Sequence, residues 1–222
     1  MANQVVMNKF KSKEEAIEQL RLVTIEALKA SNEKTGFSTL LLSGGGTPGP
    51  LYTELNRTYK EFDKTTIGLV DERFVPVTSE YSNERLIRNL ISRSDKIIGM
   101  VHDEDNYSLN IHTARKHYEI FNDKLDVVIL GMGPDGHTAS LFPNDPSSEQ
   151  ILANNDVGLF NTNAPSIPTR RITCSKQMLL NAKHIFLLIF GEEKLNILEN
   201  SNLNLPIHVL LKERNDIEIY YA

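Results

Sequence analysis

Leu40-Leu-Leu-Ser43-Gly44-Gly45-Gly46-Thr47-Pro48 is the stretch on which the fold turns. An apolar run enters three consecutive glycines, then Thr47, a residue type suited to a helix N-cap, and Pro48, suited to the first helical turn. Strand, loop and helix thus follow one another directly. The same arrangement predicts an anion site. Glycines let the N–H groups of a tight loop point inward, and the dipole of the following helix adds about half a positive charge there. No Gly-Lys-Ser/Thr follows, so this is not a Walker A loop. Taken alone, the residues also fit a plain tight turn before a capped helix.

Outward from this stretch, short apolar runs recur at Ile67–Val70, Leu125–Leu130, Ile185–Phe190 and Ile217–Tyr221, alongside Thr39–Leu42. They read as strands buried on both faces. Helix-like stretches lie between them at Pro48–Leu55, Ser82–Ile91, Ser108–Phe121 and Glu192–Leu198. An amphipathic helix opens the chain, with Ser12-Lys-Glu-Glu15 as a capping box and Ala16, Leu20, Val23, Ala27 and Ala30 as its apolar stripe. Alternating strand and helix predict an α/β fold, a Rossmann-like, mainly parallel sheet with helices on both faces. The chain of 222 residues is expected to form a single domain, 1–222. Residues 144–169, rich in Asn, Pro and Ser, are too long for a structureless loop and are expected to hold a short strand or helix.

Composition narrows the function classes. Charged residues at 24% and apolar ones at 40% are ordinary for a globular protein. No apolar run approaches the roughly 18 residues of a membrane span, and the N-terminal residues lack a secretory h-region. A cytoplasmic location is expected. A formal net charge of -5 leaves no basic footprint for nucleic acid. Cys174 is the single cysteine, which excludes an internal disulfide and a thiolate zinc cage. The six histidines show no H-x-x-x-H or H-E-x-x-H spacing, so no metal is expected. Nothing in the sequence calls for an obligate protein partner.

Two more motifs follow predicted strands, where ligands of such sheets bind. Asp71-Glu72-Arg73 comes after Ile67–Val70. Arg73 suits a bidentate contact to phosphate or carboxylate, and Asp71 or Glu72 suits holding the Arg or meeting sugar hydroxyls. An ordinary surface turn with local ion pairs is the competing reading. The other motif, Gly131-Met-Gly-Pro-Asp135-Gly-His137, formally satisfies G-x-G-x-x-G. A dinucleotide site is disfavoured: Pro143 and Pro146 leave room only for a short helix, and Asp156 lies in the Asn-rich stretch rather than at a second strand end. His137 is instead a side chain delivered into a cleft, with Asp135 placed to set its tautomer or orientation. His102, His112, His117, His184 and His208 read as structural.

Taken together, Ser43-Gly-Gly-Gly-Thr-Pro48, Asp71-Glu-Arg-Phe-Val-Pro76, Ser82-Asn83, Gly131-Met-Gly-Pro-Asp-Gly-His-Thr-Ala-Ser-Leu-Phe-Pro143, Arg171-Ile-Thr173 and Gly191-Glu-Glu-Lys194 resemble the 6-phosphogluconolactonase family. The resemblance implies the fold shared by glucosamine-6-phosphate deaminases and 6-phosphogluconolactonases. It also implies hydrolysis of a phosphosugar lactone, 6-phosphoglucono-1,5-lactone, without a cofactor. On that basis His137 and Asp135 are the expected catalytic residues. Ser43, Gly44, Gly45, Gly46, Thr47, Asp71, Glu72, Arg73, Asn83, Arg171 and Lys194 are the expected substrate and phosphate contacts. Arg170 adjoins Arg171, and the following Ile172-Thr173 favours Arg171. Gly46 stands where the family often has Ser. The deaminases, the nearest alternative, typically carry Tyr in place of Arg73 and a Glu that partners the catalytic His in place of Phe142. A sugar-phosphate binder without turnover is the remaining alternative.

Overall fold

The computed structural model describes residues 6–200 and 204–222. Among the described residues, nine strands divide into two sheets. The larger contains β1 (Val6–Lys9), β2 (Ser38–Leu42), β3 (Thr65–Leu69), β5 (Val127–Leu130), β8 (His184–Ile189) and β9 (Glu218–Tyr221), in the order β1-β9-β8-β5-β2-β3 and parallel throughout. Every residue of β2 and β5 is buried, as continuous apolar runs under two helical layers require. The smaller sheet is antiparallel, with β7 (Arg170–Cys174) between β4 (Asp71–Arg73) and β6 (Leu159–Asn163).

All five predicted strands are present within two residues. β1, β4 and β7 go beyond the sequence reading, because they are short or polar and take their stability from neighbours. The helices are α1 (Lys13–Thr35), α2 (Gly49–Thr58), α3 (Asn83–Leu90), α4 (Tyr107–His117), α5 (Glu119–Asp123), α6 (Pro146–Ala153), α7 (Lys176–Leu180), α8 (Glu192–Glu199) and α9 (Pro206–Glu213). Residues 144–169 hold α6 and β6, in line with expectation. The stretch expected as one helix over Ser108–Phe121 divides at Tyr118, whose buried hydroxyl accepts from the Leu69 N–H at 2.7 Å.

Two details of α1 differ from the sequence reading. Ser12 caps it by accepting from the Glu15 N–H at 3.2 Å, but the Glu15 carboxylate reaches the N–H of Lys11 rather than that of Ser12. Its buried stripe runs through Ala16, Leu20, Thr24, Leu28 and Ser31, while Val23 and Ala27 are partly buried and Ala30 is exposed. Small polar Thr24 and Ser31 complete the helical repeat.

The strand order places the functional crevice. β2 leads to β3 on one side and β5 leads to β8 on the other, so adjacent carboxyl ends of β2 and β5 form a switch point open to a ligand. Val70 joins the two sheets: its N–H donates to Leu42 of β2 and its carbonyl accepts from Cys174 of β7. The antiparallel sheet is therefore pinned beside that crevice.

Candidate active site

The loop after β2 begins at Ser43, whose hydroxyl donates to the Ile129 carbonyl at 2.9 Å and accepts from the Gly131 N–H at 3.1 Å. This ties the ends of β2 and β5 together. It also uses the hydroxyl's one proton, so Ser43 has no donor left for a substrate oxygen. Gly45 has a φ of +88°, a conformation open to glycine. A Cβ on Gly44 would overlap the Asn83 amide, so that glycine permits the close approach of α3. Thr47 is not the N-cap: α2 starts after Pro48, which has helical dihedrals, and no side chain caps it. Uncapped N–H groups at this end are suited to an external anion.

The turn after β5 carries His137. Gly133 N–H donates to the His137 carbonyl at 2.9 Å, and Gly136 has a φ of +78°. A Cβ on Gly133 would overlap the His137 ring. The imidazole Nδ1 lies 2.5 Å from Asp135 Oδ1, which also accepts the His137 backbone N–H at 3.2 Å. With Nδ1–H assigned to Asp135, Nε2 carries the free lone pair. Phe142 packs on the ring with centroids 4.7 Å apart, where a Glu would stand in the deaminase pattern. No helix follows this turn until α6 begins at Pro146, so the G-x-G-x-x-G match lacks the helix N-terminus that a pyrophosphate requires.

The antiparallel sheet contributes the charge. Alternation along β4 puts Asp71 and Arg73 on one face and Glu72 on the other. Arg171 stands directly opposite Arg73 on β7, and Thr173 opposite Asp71. Facing guanidiniums repel one another unless an anion joins them. Burial holds Arg171 below the usual arginine range, and the neighbouring Arg73 charge adds to this. Lys194, from the first turn of α8, is likewise lowered by burial. Arg170 lies over the Tyr107 ring at 5.4 Å, and Arg171 rather than Arg170 lines the crevice.

These groups converge on one cleft of about 190 Å³, whose lining includes Ser43 to Pro48, Asp71, Arg73, Asn83, His137, Arg171 and Lys194. Glu72 is a correction to the sequence reading. It is 1% exposed and does not line the cleft. Its carboxylate accepts from the N–H groups of Arg73, Asn83 and Glu84 at 2.7 to 2.8 Å and from the Ser82 hydroxyl at 3.0 Å. Burial outweighs these four donors and raises its pKa to about 7. Glu72 thus accepts four hydrogen bonds at the N-terminus of α3 and holds the Asn83 backbone from outside the cleft. Asn83 in turn donates from its side chain to the Asp71 carbonyl at 3.0 Å. Asp135 does not line the cleft and reaches it through His137. Among the other histidines, His208 bonds the Ile197 carbonyl, His102 stacks on His117, and His112 and His184 are exposed.

Comparison with known proteins follows the same lines. The family described as glucosamine-6-phosphate isomerases/6-phosphogluconolactonase matches residues 11–218. The chain belongs to this family. Among its relatives is a Caulobacter vibrioides 6-phosphogluconolactonase, 31% identical over 98% of this chain and 97% of that protein. Another, from Neisseria meningitidis serogroup A, is 29% identical over 98% and 99%. The crystal structure of a 6-phosphogluconolactonase from Shewanella baltica matches with a TM-score of 0.91, at 29% identity and over 100% of both chains. Membership covers both crevice loops and both arginine strands. Ser140, inside the family's Gly131–Pro143 motif, bonds the Asp71 carboxylate and was missed as a site residue. A lone serine carries no periodicity, and only the folded contact reveals its partner.

Proposed function

We propose that this chain hydrolyses 6-phosphoglucono-1,5-lactone to 6-phosphogluconate, with His137 as general base. The observation that carries the reading is a single cleft in which a histidine fixed by Asp135 shares space with Arg73, Arg171 and Lys194. The relatives' names indicate the same substrate. A lactone is an activated ester, so hydrolysis needs an oriented water, a base and stabilisation of an oxyanion. His137 Nε2 removes a proton from water as the water oxygen attacks the lactone carbonyl carbon. Collapse of the oxyanion breaks the bond to the ring oxygen, and the imidazolium returns the proton there.

Arg73, Arg171, Lys194 and the N–H groups of Gly44 to Thr47 form the phosphate site, which fixes the reacting carbonyl at a distance. Asp71, on the cleft face beside them, is placed to accept from a sugar hydroxyl. Phe142 against His137 supports lactone hydrolysis over deamination, since the carboxylate partner of the deaminase pattern is replaced by an apolar ring. On this reading the protein works as one α/β domain in the cytoplasm. Among the described residues, no helix is long and apolar enough to cross a membrane.

The test is acid release from freshly generated lactone, followed by pH-stat against the spontaneous rate. Acceleration that disappears in His137→Ala supports the proposal; no acceleration by the wild-type protein overturns it.

A further inference from the structure

We propose that Ser140 keeps the arginine pair open for its ligand by holding the Asp71 carboxylate away from it, an inference that rests on reading Arg73 and Arg171 as the phosphate site. Asp71 and Arg73 share one face of β4, and Arg171 lies across from Arg73. A carboxylate, 7% exposed, beside two guanidiniums has a strong bidentate partner within reach. Among the described residues, neither arginine has an ion pair within 4.0 Å, and Arg73 Nε is buried with no acceptor. Asp71 Oδ2 instead accepts from the Ser140 hydroxyl.

Ser140 is fixed so that it cannot follow the carboxylate. It is fully buried, its N–H donates to Thr173 Oγ1 at 3.2 Å, and its carbonyl accepts from Thr162 Oγ1 at 2.7 Å. Thr173 stands opposite Asp71, so the serine docks at the same level of the antiparallel sheet. The arginines are restrained separately, Arg73 by the Tyr81 carbonyl at 2.7 Å and Arg171 by the Pro168 carbonyl at 2.8 Å. Carboxylate and guanidiniums are therefore each tethered to a different part of the chain. Once the hydroxyl is removed, Asp71 becomes an internal competitor for the site that an incoming phosphate must occupy.

Calorimetric titration with 6-phosphogluconate and with inorganic phosphate tests this without requiring turnover. Ser140→Ala is expected to weaken both on the order of tenfold, the cost of a lost hydrogen bond to a charged group. Adding Asp71→Asn to Ser140→Ala is expected to restore the affinity for inorganic phosphate, which has no sugar hydroxyl for Asp71 to meet, to within about threefold of wild type, because the competing charge is gone. Thermal melting checks that each variant folds. If Ser140→Ala does not fold, Thr162→Val, alone and with Asp71→Asn, makes the same comparison, with a smaller expected loss. Unchanged affinity in the single variant, or a loss of inorganic phosphate affinity that Asp71→Asn does not repair, overturns the inference. A wild-type protein that binds neither anion overturns the phosphate-site reading and this inference with it. Anion binding without lactone hydrolysis leaves the inference standing and overturns the proposed reaction alone.

Discussion

The two sheets contribute to the cleft in different ways. The parallel sheet delivers loops: its buried strands end at the crevice, which Gly44 to Thr47 and one imidazole on a glycine turn line. The antiparallel sheet delivers side chains straight from strand faces, with Asp71, Arg73 and Arg171 in register on neighbouring strands. The proposed base thus sits on the parallel sheet and the arginine pair on the antiparallel one, while the Gly44–Thr47 loop and Lys194 share in the proposed anchoring. Changes at the histidine turn should be felt mainly in kcat, and changes at the arginine strands mainly in KM.

The largest expected effect is on the parallel side. His137→Ala should lower kcat on the order of 10²-fold or more with little change in KM, as loss of a general base requires. Steady-state kinetics on the phosphorylated lactone measure this, and an equal loss through KM would break the division. Next, Arg171→Ala or Arg73→Ala should raise KM roughly 10- to 100-fold, corresponding to about 1.5–3 kcal/mol for a hydrogen bond to a charged group. If kcat falls instead, the arginines serve the reacting carbonyl and the division fails.

Glu72→Gln sharpens the comparison from behind the cleft. The amide replaces one accepting oxygen with an NH2 group facing backbone donors at the N-terminus of α3. A loss of about 1–3 kcal/mol is expected, read as a melting temperature lower by roughly 2–4 °C for each kcal/mol. An unchanged melting curve would show that the Glu72 carboxylate does not anchor α3. The smallest effect is expected at Gly46→Ser. A Cβ there meets nothing within 4 Å, and the residue does not have a positive φ. KM should stay within about twofold, the usual range for an open site. A large change would show that the loop's bare backbone at that point contacts the ligand closely.

Legibility in the sequence follows the same division. The parallel strands were visible as apolar runs because burial on both faces leaves an unbroken signature. The His137 turn was visible because glycines at 131, 133 and 136 mark where a strand ends. β4 and β7 were not, since three charged residues at 71–73 and Arg170-Arg171 read as surface turns until strand pairing is known. Glu72 was misassigned for that reason: composition places three charged groups together, but only a strand conformation sends the middle one to the opposite face. Thr47 was misassigned because its residue type suits a cap, whereas the helix begins one residue later.

The sequence by itself determined the α/β class, the positions of the buried strands along the chain and the three loops that follow them. These depend on local hydrophobic pattern and turn chemistry, which neighbouring residues encode. Tertiary structure alone decided that Arg171, which the sequence favours over Arg170, pairs with Arg73, that Glu72 anchors α3, and that Ser140 holds Asp71. Each of these depends on register between segments far apart in the chain, a relation that no local pattern carries.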